Sequence, residues 1–166
     1  TLARLLADPI YRAHLAARGN RQVVMIGYPD SNKESGITAS RWVLRKAQQA
    51  MLVACEQAGI QLLVFHGRGG SISRGGSRTE AVVSSLPTAV RSGQMRVTEQ
   101  GETINDRYGL QPIALRTFEQ GLNTLALAVA GERHEAIGPG WEDAMQLLAD
   151  ASRKRYREFV HDDPGF

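Results

Sequence analysis

The sequence lacks most of the features that mark membrane, disulfide-bonded and zinc-binding proteins. Its one cysteine, Cys55, cannot form an internal disulfide, and no Cys/His cluster has the spacing of a zinc site. No apolar run reaches the roughly 18 residues of a membrane span, and the N-terminal residues have no signal-peptide pattern. We therefore expect a protein of a reducing, cytoplasmic compartment with no membrane partner.

Lysine is also scarce, because only Lys33, Lys46 and Lys154 accompany seventeen arginines. Arginine binds oxyanions with two parallel hydrogen bonds, so this bias favours anionic ligands. The net charge of +3 and a pI near 9.3 would permit nucleic-acid binding. Most arginines, however, are interspersed with acids in predicted helices, so we expect no continuous phosphate-binding stripe and no nucleic-acid partner.

A length of 166 residues is typical of one domain with its own core, and we see no linker that would divide residues 1–166. The chain starts at Thr1 rather than at a methionine, and it stops just beyond a long amphipathic pattern. We therefore expect a piece of a larger protein.

Two apolar runs, 22–28 and 60–65, predict buried β-strands. Between them the pattern predicts a helix that starts at Thr38 or Ser40 and ends at Ala58, with Gly59 after it. Strand, helix and strand predict a right-handed βαβ unit in a helix-rich α/β fold. Polar loops predicted at 29–36 and 66–78 then lie at the C-terminal ends of parallel strands, where such folds place their chemistry.

The rest of the pattern is mainly helical. We predict two helical pieces within 2–18 that are separated at Asp8-Pro9, a helix at 79–86, a short strand at 94–100, and helices at 102–108, 113–130 and 141–160. Three histidines are expected to be surface residues without a partner: His14, His134 and His161. Five aromatic residues are expected to pack in the core or between helices: Trp42, Phe65, Tyr108, Phe118 and Trp141.

The segment 66–78 has the composition of an anion-binding loop. It holds five glycines, three arginines and one histidine, with no acid. Glycines allow backbone N–H groups to approach an oxyanion, and arginines add charge and paired donors. The spacing matches neither a Walker loop nor a dinucleotide-binding motif. The alternatives are an exposed surface loop and an RNA-binding Arg/Gly segment.

Each of three polar residues near the strand ends could be a functional residue or could have a purely structural role. Asp30 could hold Mg²⁺ beside a phosphate, or it could cap a turn. Lys33 could neutralise an anion or be solvated. His66 could bind phosphate or donate a proton, although a lone histidine at a strand end is more often structural.

Two motifs together closely resemble phosphoenolpyruvate carboxylase: VMIGYPDSNKESG at 24–36 and FHGRGGSISRGG at 65–76. The segment RVTEQGE at 96–102 adds to the resemblance, which extends through essentially the whole chain. The resemblance implies that the fold is part of a TIM-like α/β barrel. It also implies a cytoplasmic, allosteric, homotetrameric enzyme that supplies the tricarboxylic acid cycle.

The implied reaction joins phosphoenolpyruvate and bicarbonate to give oxaloacetate and phosphate, through carboxyphosphate and the enolate of pyruvate, with Mg²⁺ or Mn²⁺. By position, Asp30 would be a metal ligand and Lys33 would be catalytic. His66 and Arg68 would contact phosphoenolpyruvate, and Arg74 would lie near bicarbonate. The resemblance gives Arg74 a possible regulatory role as well. The glycines that would complete the anion-binding loop are Gly69, Gly70, Gly75 and Gly76.

Pro29, Glu34 and Ser73 depart from the family pattern, and Ser73 should stiffen the loop because it replaces a glycine. A second metal carboxylate, an essential histidine and further arginines have no counterpart in the chain, so we expect it to be inactive alone. The competing hypotheses are a free-standing phosphate- or RNA-binding module and an inactive structural relic.

Overall fold

The structure is a computed structural model that describes residues 2–67, 69, 93–130 and 138–165. Within these ranges, α1 (Leu2–Leu6) and α2 (Pro9–Ala17) precede β1 (Arg21–Gly27), α3 (Tyr28–Gln57) and β2 (Gln61–Gly67). They are followed by β3 (Arg96–Val97), α4 (Gly101–Tyr108), α5 (Gln111–Ala130) and α6 (Trp141–Val160). None of the described helices is long and apolar enough to cross a membrane.

The described strands form a parallel sheet in the order β1-β2-β3. Arg21 pairs with Gln61 at the start of β1, and Gly27 pairs with Gly67 at its end. The predicted βαβ unit and the helix-rich α/β class are thereby confirmed. The third strand is only two residues long, because pairing with β2 covers Arg96 and Val97 alone. The prediction of a strand over 94–100 is therefore too long.

The main core lies between the sheet and the first three helices. Ile26, Leu62 and Val64 project from one sheet face into a cluster with residues such as Leu44 and Cys55 of α3. The opposite face is less covered, since Val23 is 39% exposed and Met25 is 57% exposed. A parallel sheet normally has both faces covered. The described residues therefore cover one face of this sheet and leave apolar side chains on the other.

The first eight residues of α3 lie in a segment that the sequence predicts to be a loop. The prediction of a loop at 29–36 is wrong, because the helix begins directly after β1, at Tyr28. Pro29 fits the first helical turn, and Ser31 and Ser35 donate their hydroxyl hydrogens to the carbonyls of Gly27 and Ser31. These hydroxyl bonds keep polar side chains compatible with a helix.

A kink at Gly36 divides α3 into a short and a long segment. Gly36 has φ 74° and ψ 165°, a conformation that is essentially restricted to glycine. A Cβ atom at this position would lie 3.1 Å from Cδ2 of Tyr156. The kink is therefore the place where the ring of Tyr156, from α6, packs directly against the backbone of α3.

Helix α6 lies along the long segment of α3. Ala39 and Trp42 pack against Ala149, and Trp42 Nε1 donates a hydrogen bond of 3.0 Å to Gln146 Oε1. The prediction that Trp141 packs in the core or between helices is wrong, because Trp141 is 63% exposed. Phe118 is 65% exposed, but its ring centroid lies 5.4 Å from that of Tyr108 in α4, which confirms packing between helices. The predicted helix at 79–86 and His134 lie outside the described residues.

The predicted break at Asp8-Pro9 is confirmed. Asp8 is the N-cap of α2, and its carboxylate accepts hydrogen bonds from the backbone N–H groups of Ile10 and Tyr11. This capping starts a new helix immediately after α1 ends.

Candidate functional site at the C-terminal edge of the sheet

The C-terminal ends of the three strands meet at one edge of the sheet. β1 ends at Gly27, β2 ends at Gly67, and β3 ends at Val97. Glycine is required at 67, because an added Cβ would lie 2.8 Å from Met25 Cε and 2.9 Å from the carbonyl oxygen of Ile26. The small residue lets the ends of β1 and β2 approach closely, so the segments that follow both strands start side by side.

Asp30 lies in the first turn of α3, three residues beyond the end of β1. Its side chain is exposed, and its Oδ2 lies 3.2 Å from the position that a Cβ of Gly27 would take. Gly27 itself provides no side-chain cap for the helix. A carboxylate in the first turn is favourable beside the helix N-terminus. The position therefore fits a metal ligand, whereas no described backbone N–H donates to Asp30 as turn capping would require.

Asp30 provides one oxygen ligand of the kind that Mg²⁺ and Mn²⁺ prefer. Among the described residues, no group of three His, Cys, Asp or Glu side chains is placed to hold a metal ion. Mg²⁺ is commonly held by one or two carboxylates together with waters and substrate phosphates. An exposed carboxylate at this edge is therefore compatible with one protein ligand of such a site.

Lys33 is exposed on the same short helical segment, and α6 contacts its backbone. His161, at the end of α6, donates from Nε2 to the carbonyl oxygen of Lys33 over 3.2 Å. The ring of His161 also meets that of Tyr156 edge-on, with centroids 5.9 Å apart. The prediction that His161 lies at the surface is confirmed, but the expected lack of a partner is wrong, because the end of α6 packs against the segment that carries Asp30 and Lys33.

His66 is deeply buried, with 2% of its surface exposed. It follows Leu62 and Val64 on the face of β2 that packs against the helices. Its Nδ1 is hydrogen-bonded to the hydroxyl of Tyr28 at 3.0 Å. Tyr28 is itself 4% exposed, and the guanidinium of Arg41 lies 5.5 Å from its ring centroid.

This pair joins the two candidate segments, because Tyr28 lies two residues before Asp30 and His66 ends the buried row of β2. Sequence reasoning did not single out Tyr28 as a functional residue. The only available signal was its position between a strand end and Asp30. The carbonyl oxygen of His66 also accepts a backbone hydrogen bond of 3.0 Å from Thr98, which ties β3 to the same point.

Only part of the predicted anion-binding loop lies within the described residues. Gly69 is described and is buried. The other members that the sequence singled out lie outside the described residues: Arg68, Gly70, Arg74, Gly75 and Gly76. Their predicted roles therefore remain predictions.

Glu99 is a further acidic residue at this edge, two residues beyond β3. Its carboxylate accepts hydrogen bonds from Arg107 at 3.0 Å, from the Tyr108 hydroxyl at 3.2 Å and from the Thr103 hydroxyl at 3.2 Å. Burial, and then the charge and hydrogen bond of Glu99, raise the pKa of Tyr108, while Arg107 opposes the shift. Glu99 thus joins α4 to the end of β3, a role that the sequence motif did not reveal.

The chain is similar to known proteins along its whole length. The family model for phosphoenolpyruvate carboxylase matches residues 1–166. A phosphoenolpyruvate carboxylase of Xanthomonas euvesicatoria is 48% identical over 163 residues, which are 96% of this chain and 18% of the relative. A phosphoenolpyruvate carboxylase of Roseiflexus castenholzii is 42% identical over 95% of this chain and 17% of its own length. Phosphoenolpyruvate carboxylase 2 of Chlamydomonas reinhardtii is 36% identical over 99% of this chain and 14% of its own length.

Proposed function

The chain belongs to the phosphoenolpyruvate carboxylase family, and from this membership we propose that it is a segment of an enzyme that converts phosphoenolpyruvate and bicarbonate to oxaloacetate and phosphate. The observation that carries the proposal is the match of the family model to residues 1–166, together with relatives that are up to 48% identical over 163 residues. The chain spans about 18% of the length of such relatives, so the activity belongs to the longer protein.

The sheet supports the idea of a segment that is completed by further chain. Met25 and Val23 leave one face of a parallel sheet partly open, whereas parallel sheets are normally covered on both faces. In the TIM-like barrel that we propose for the parent enzyme, this open face would point into the barrel. The second metal carboxylate, the essential histidine and the remaining arginines would come from other parts of that enzyme, and the proposal includes its cytoplasmic homotetramer.

Asp30 is proposed as a ligand of Mg²⁺ or Mn²⁺. Its exposure and its position just beyond β1 support this role. When bound, the metal supplies positive charge that stabilises the negative charge developing on the enolate oxygen. Lys33, one helical turn further on, is proposed to neutralise negative charge on the reacting phosphate. The contact between His161 and the carbonyl of Lys33 would hold this turn in place.

Arg68 and Arg74 are proposed to bind anionic groups, with Arg68 on phosphoenolpyruvate and Arg74 near bicarbonate. The glycines of the loop, Gly69 among them, would allow backbone N–H groups to approach the same anions. His66 is proposed to assist from the end of β2, where its Nδ1 is hydrogen-bonded to the Tyr28 hydroxyl. With 2% of its surface exposed, His66 also fixes the start of the loop.

The first test compares the 166-residue chain with the longer protein that contains it, in an assay that couples oxaloacetate formation to NADH oxidation. The chain alone should show no turnover, and the longer protein should turn over only with Mg²⁺ or Mn²⁺. Asp30→Asn should abolish the activity of the longer protein, and the exposed Asp106→Asn on α4 should leave it intact. Full activity of Asp30→Asn would contradict the assigned metal ligand.

A second test needs no turnover. Backbone-amide NMR of the 166-residue chain, titrated with phosphoenolpyruvate and Mg²⁺, should show saturable shifts at Asp30, at Lys33 and in residues 66–78. Shifts that appear equally with RNA and vanish at high salt would instead support the binding-module alternative, because phosphate-backbone contacts depend steeply on salt. The match to one enzyme family over the whole chain favours the carboxylase over that alternative.

A further inference from the structure

A concave surface that the proposed reaction does not use lies between α3 and α6. We call it the α3–α6 pocket, and its volume is about 360 Å³. Pockets for small molecules are typically about 300–1,000 Å³, so this one can hold a small ligand. Six polar residues line it: Ser31, Glu34, Ser35 and Ser40 from α3, and Arg153 and Arg157 from α6.

The α6 side of the pocket is cationic. Arg153 and Arg157 are four residues apart, so they lie on the same face of the helix. Neither guanidinium forms an ion pair with another described residue. The neighbouring Arg155, by contrast, lies 3.4 Å from Glu158. No described residue therefore occupies the donors of these two arginines, whose forked geometry suits an oxyanion.

The α3 side combines one available donor with several acceptors. Ser40 is 0% exposed, and its hydroxyl has no hydrogen-bond partner among the described residues. Buried hydroxyl groups are normally satisfied, so this orphaned group indicates a missing partner in the pocket. The hydroxyl hydrogens of Ser31 and Ser35 are already donated to backbone carbonyls. These two serines can therefore only accept, as can the carboxylate of Glu34.

We propose that the α3–α6 pocket binds a small phosphate monoester with a hydroxylated carrier. The phosphate would lie between Arg153 and Arg157, with the Ser40 hydroxyl as a third donor. The carrier hydroxyl would donate to Glu34, whose negative charge disfavours an anion that brings no donor. A ligand bound in this way connects α6 to the residues of α3 on both sides of the Gly36 kink.

The test is an NMR titration of the 166-residue chain at constant ionic strength, which follows the Nε–H signals of the arginine side chains. The probes are glycerol phosphate, sulfate, which has no hydrogen-bond donor at neutral pH, and glycerol. Glycerol phosphate should give saturable shifts at Arg153 and Arg157, and it should bind about threefold or more tightly than sulfate. Arg157→Gln should weaken its binding about tenfold, a loss of roughly 1.4 kcal/mol. The matched control Arg155→Gln should leave its affinity unchanged.

Two further variants test two of the side chains that α3 contributes to the pocket, Ser40 and Glu34. Ser40→Ala should weaken glycerol phosphate binding without lowering the melting temperature, since it removes a hydroxyl that has no described partner. Glu34→Gln should reduce the preference for glycerol phosphate over sulfate. Equal, non-saturating shifts at Arg153, Arg155 and Arg157 would show an adventitious ion only and would overturn the proposal. Saturable binding that Arg157→Gln leaves unchanged would overturn it as well.

Discussion

Replacing Gly36 with alanine should destabilise the protein strongly, because two independent features of the structure require glycine at this position. The first is the backbone conformation, φ 74° and ψ 165°, which an L-residue rarely adopts. The second is the ring of Tyr156, whose Cδ2 and Cγ atoms would lie 3.1 Å and 3.2 Å from the new Cβ. Alanine therefore has to change the backbone, displace the ring, or do both.

The two features contribute comparable amounts. Holding alanine in this backbone region costs about 1–3 kcal/mol. Overpacking against a ring that must retreat by a few tenths of an ångström costs about 1–3 kcal/mol. The smaller conformational entropy of the unfolded alanine chain returns about 0.4–1 kcal/mol. We expect a net loss of about 1–6 kcal/mol in the free energy of unfolding, which corresponds to about 2–24 °C in melting temperature for a chain of this length.

Urea denaturation followed by circular dichroism measures this loss, with Gly121→Ala as the matched control. Gly121 lies inside α5 with nothing within 4 Å of its Cβ position, so alanine there should stabilise the protein by about 0.5–1 kcal/mol. In a Tyr156→Ala background, Gly36→Ala should cost at least about 1 kcal/mol less, because the ring is gone. A loss below about 0.5 kcal/mol for Gly36→Ala alone would refute the reasoning.

Three further predictions concern two buried groups and the half-buried Tyr108. Tyr28→Phe should cost about 1–3 kcal/mol, because it removes the hydrogen bond to His66; an unchanged ¹⁵Nδ1 shift of His66 would count against that bond. Burial raises the pKa of the Cys55 thiol, so a thiol reagent should label Cys55 only as fast as the protein unfolds, and rapid labelling in the absence of urea would contradict its burial. Burial, and then Glu99, raise the pKa of Tyr108 above 10.0. The un-ionised Tyr108 hydroxyl therefore contributes fully to the free energy of unfolding below about pH 10, and this contribution is lost as the pH rises through the folded-state pKa. Tyr108→Phe should reduce the loss of unfolding free energy between about pH 9 and about pH 11, and an identical loss in both proteins would contradict the assignment.

The βαβ unit could be predicted from the sequence because its signals are local. The runs 22–28 and 60–65 are apolar and short, and Gly59 ends the helix between them with a positive φ of 66°. The segment 29–36 was predicted wrongly, because its polar composition is typical of a loop. Its helical form depends on hydroxyl-to-carbonyl bonds at Ser31 and Ser35, which composition does not reveal.

The contacts that shape the candidate site are the least predictable part. Tyr28 meets His66 across 38 residues of sequence, and His161 meets Lys33 across 128 residues. Such contacts depend on how elements pack, and no local pattern encodes them. Asp30 could be singled out because it follows a strand directly. The exposure of Phe118 and Trp141 could not be predicted. The hydrophobic character of a side chain indicates that it tends to be covered, but it does not indicate which element covers it.

The parallel arrangement of the sheet has a consequence for how the chain acquires its structure. No two strands of the described sheet are joined by a hairpin, because Gln61 pairs with Arg21 forty residues earlier, and Arg96 pairs with Phe65 after another long connection. Closing a loop of forty residues costs about 3 kcal/mol of chain entropy before any strand contact repays it. The helices, whose contacts are local, should therefore form early, and the sheet should form in the slow, cooperative step of folding. Until that step, the edges of β1 and β2 remain available to other chains, so the speed of sheet closure governs the yield of native protein during synthesis.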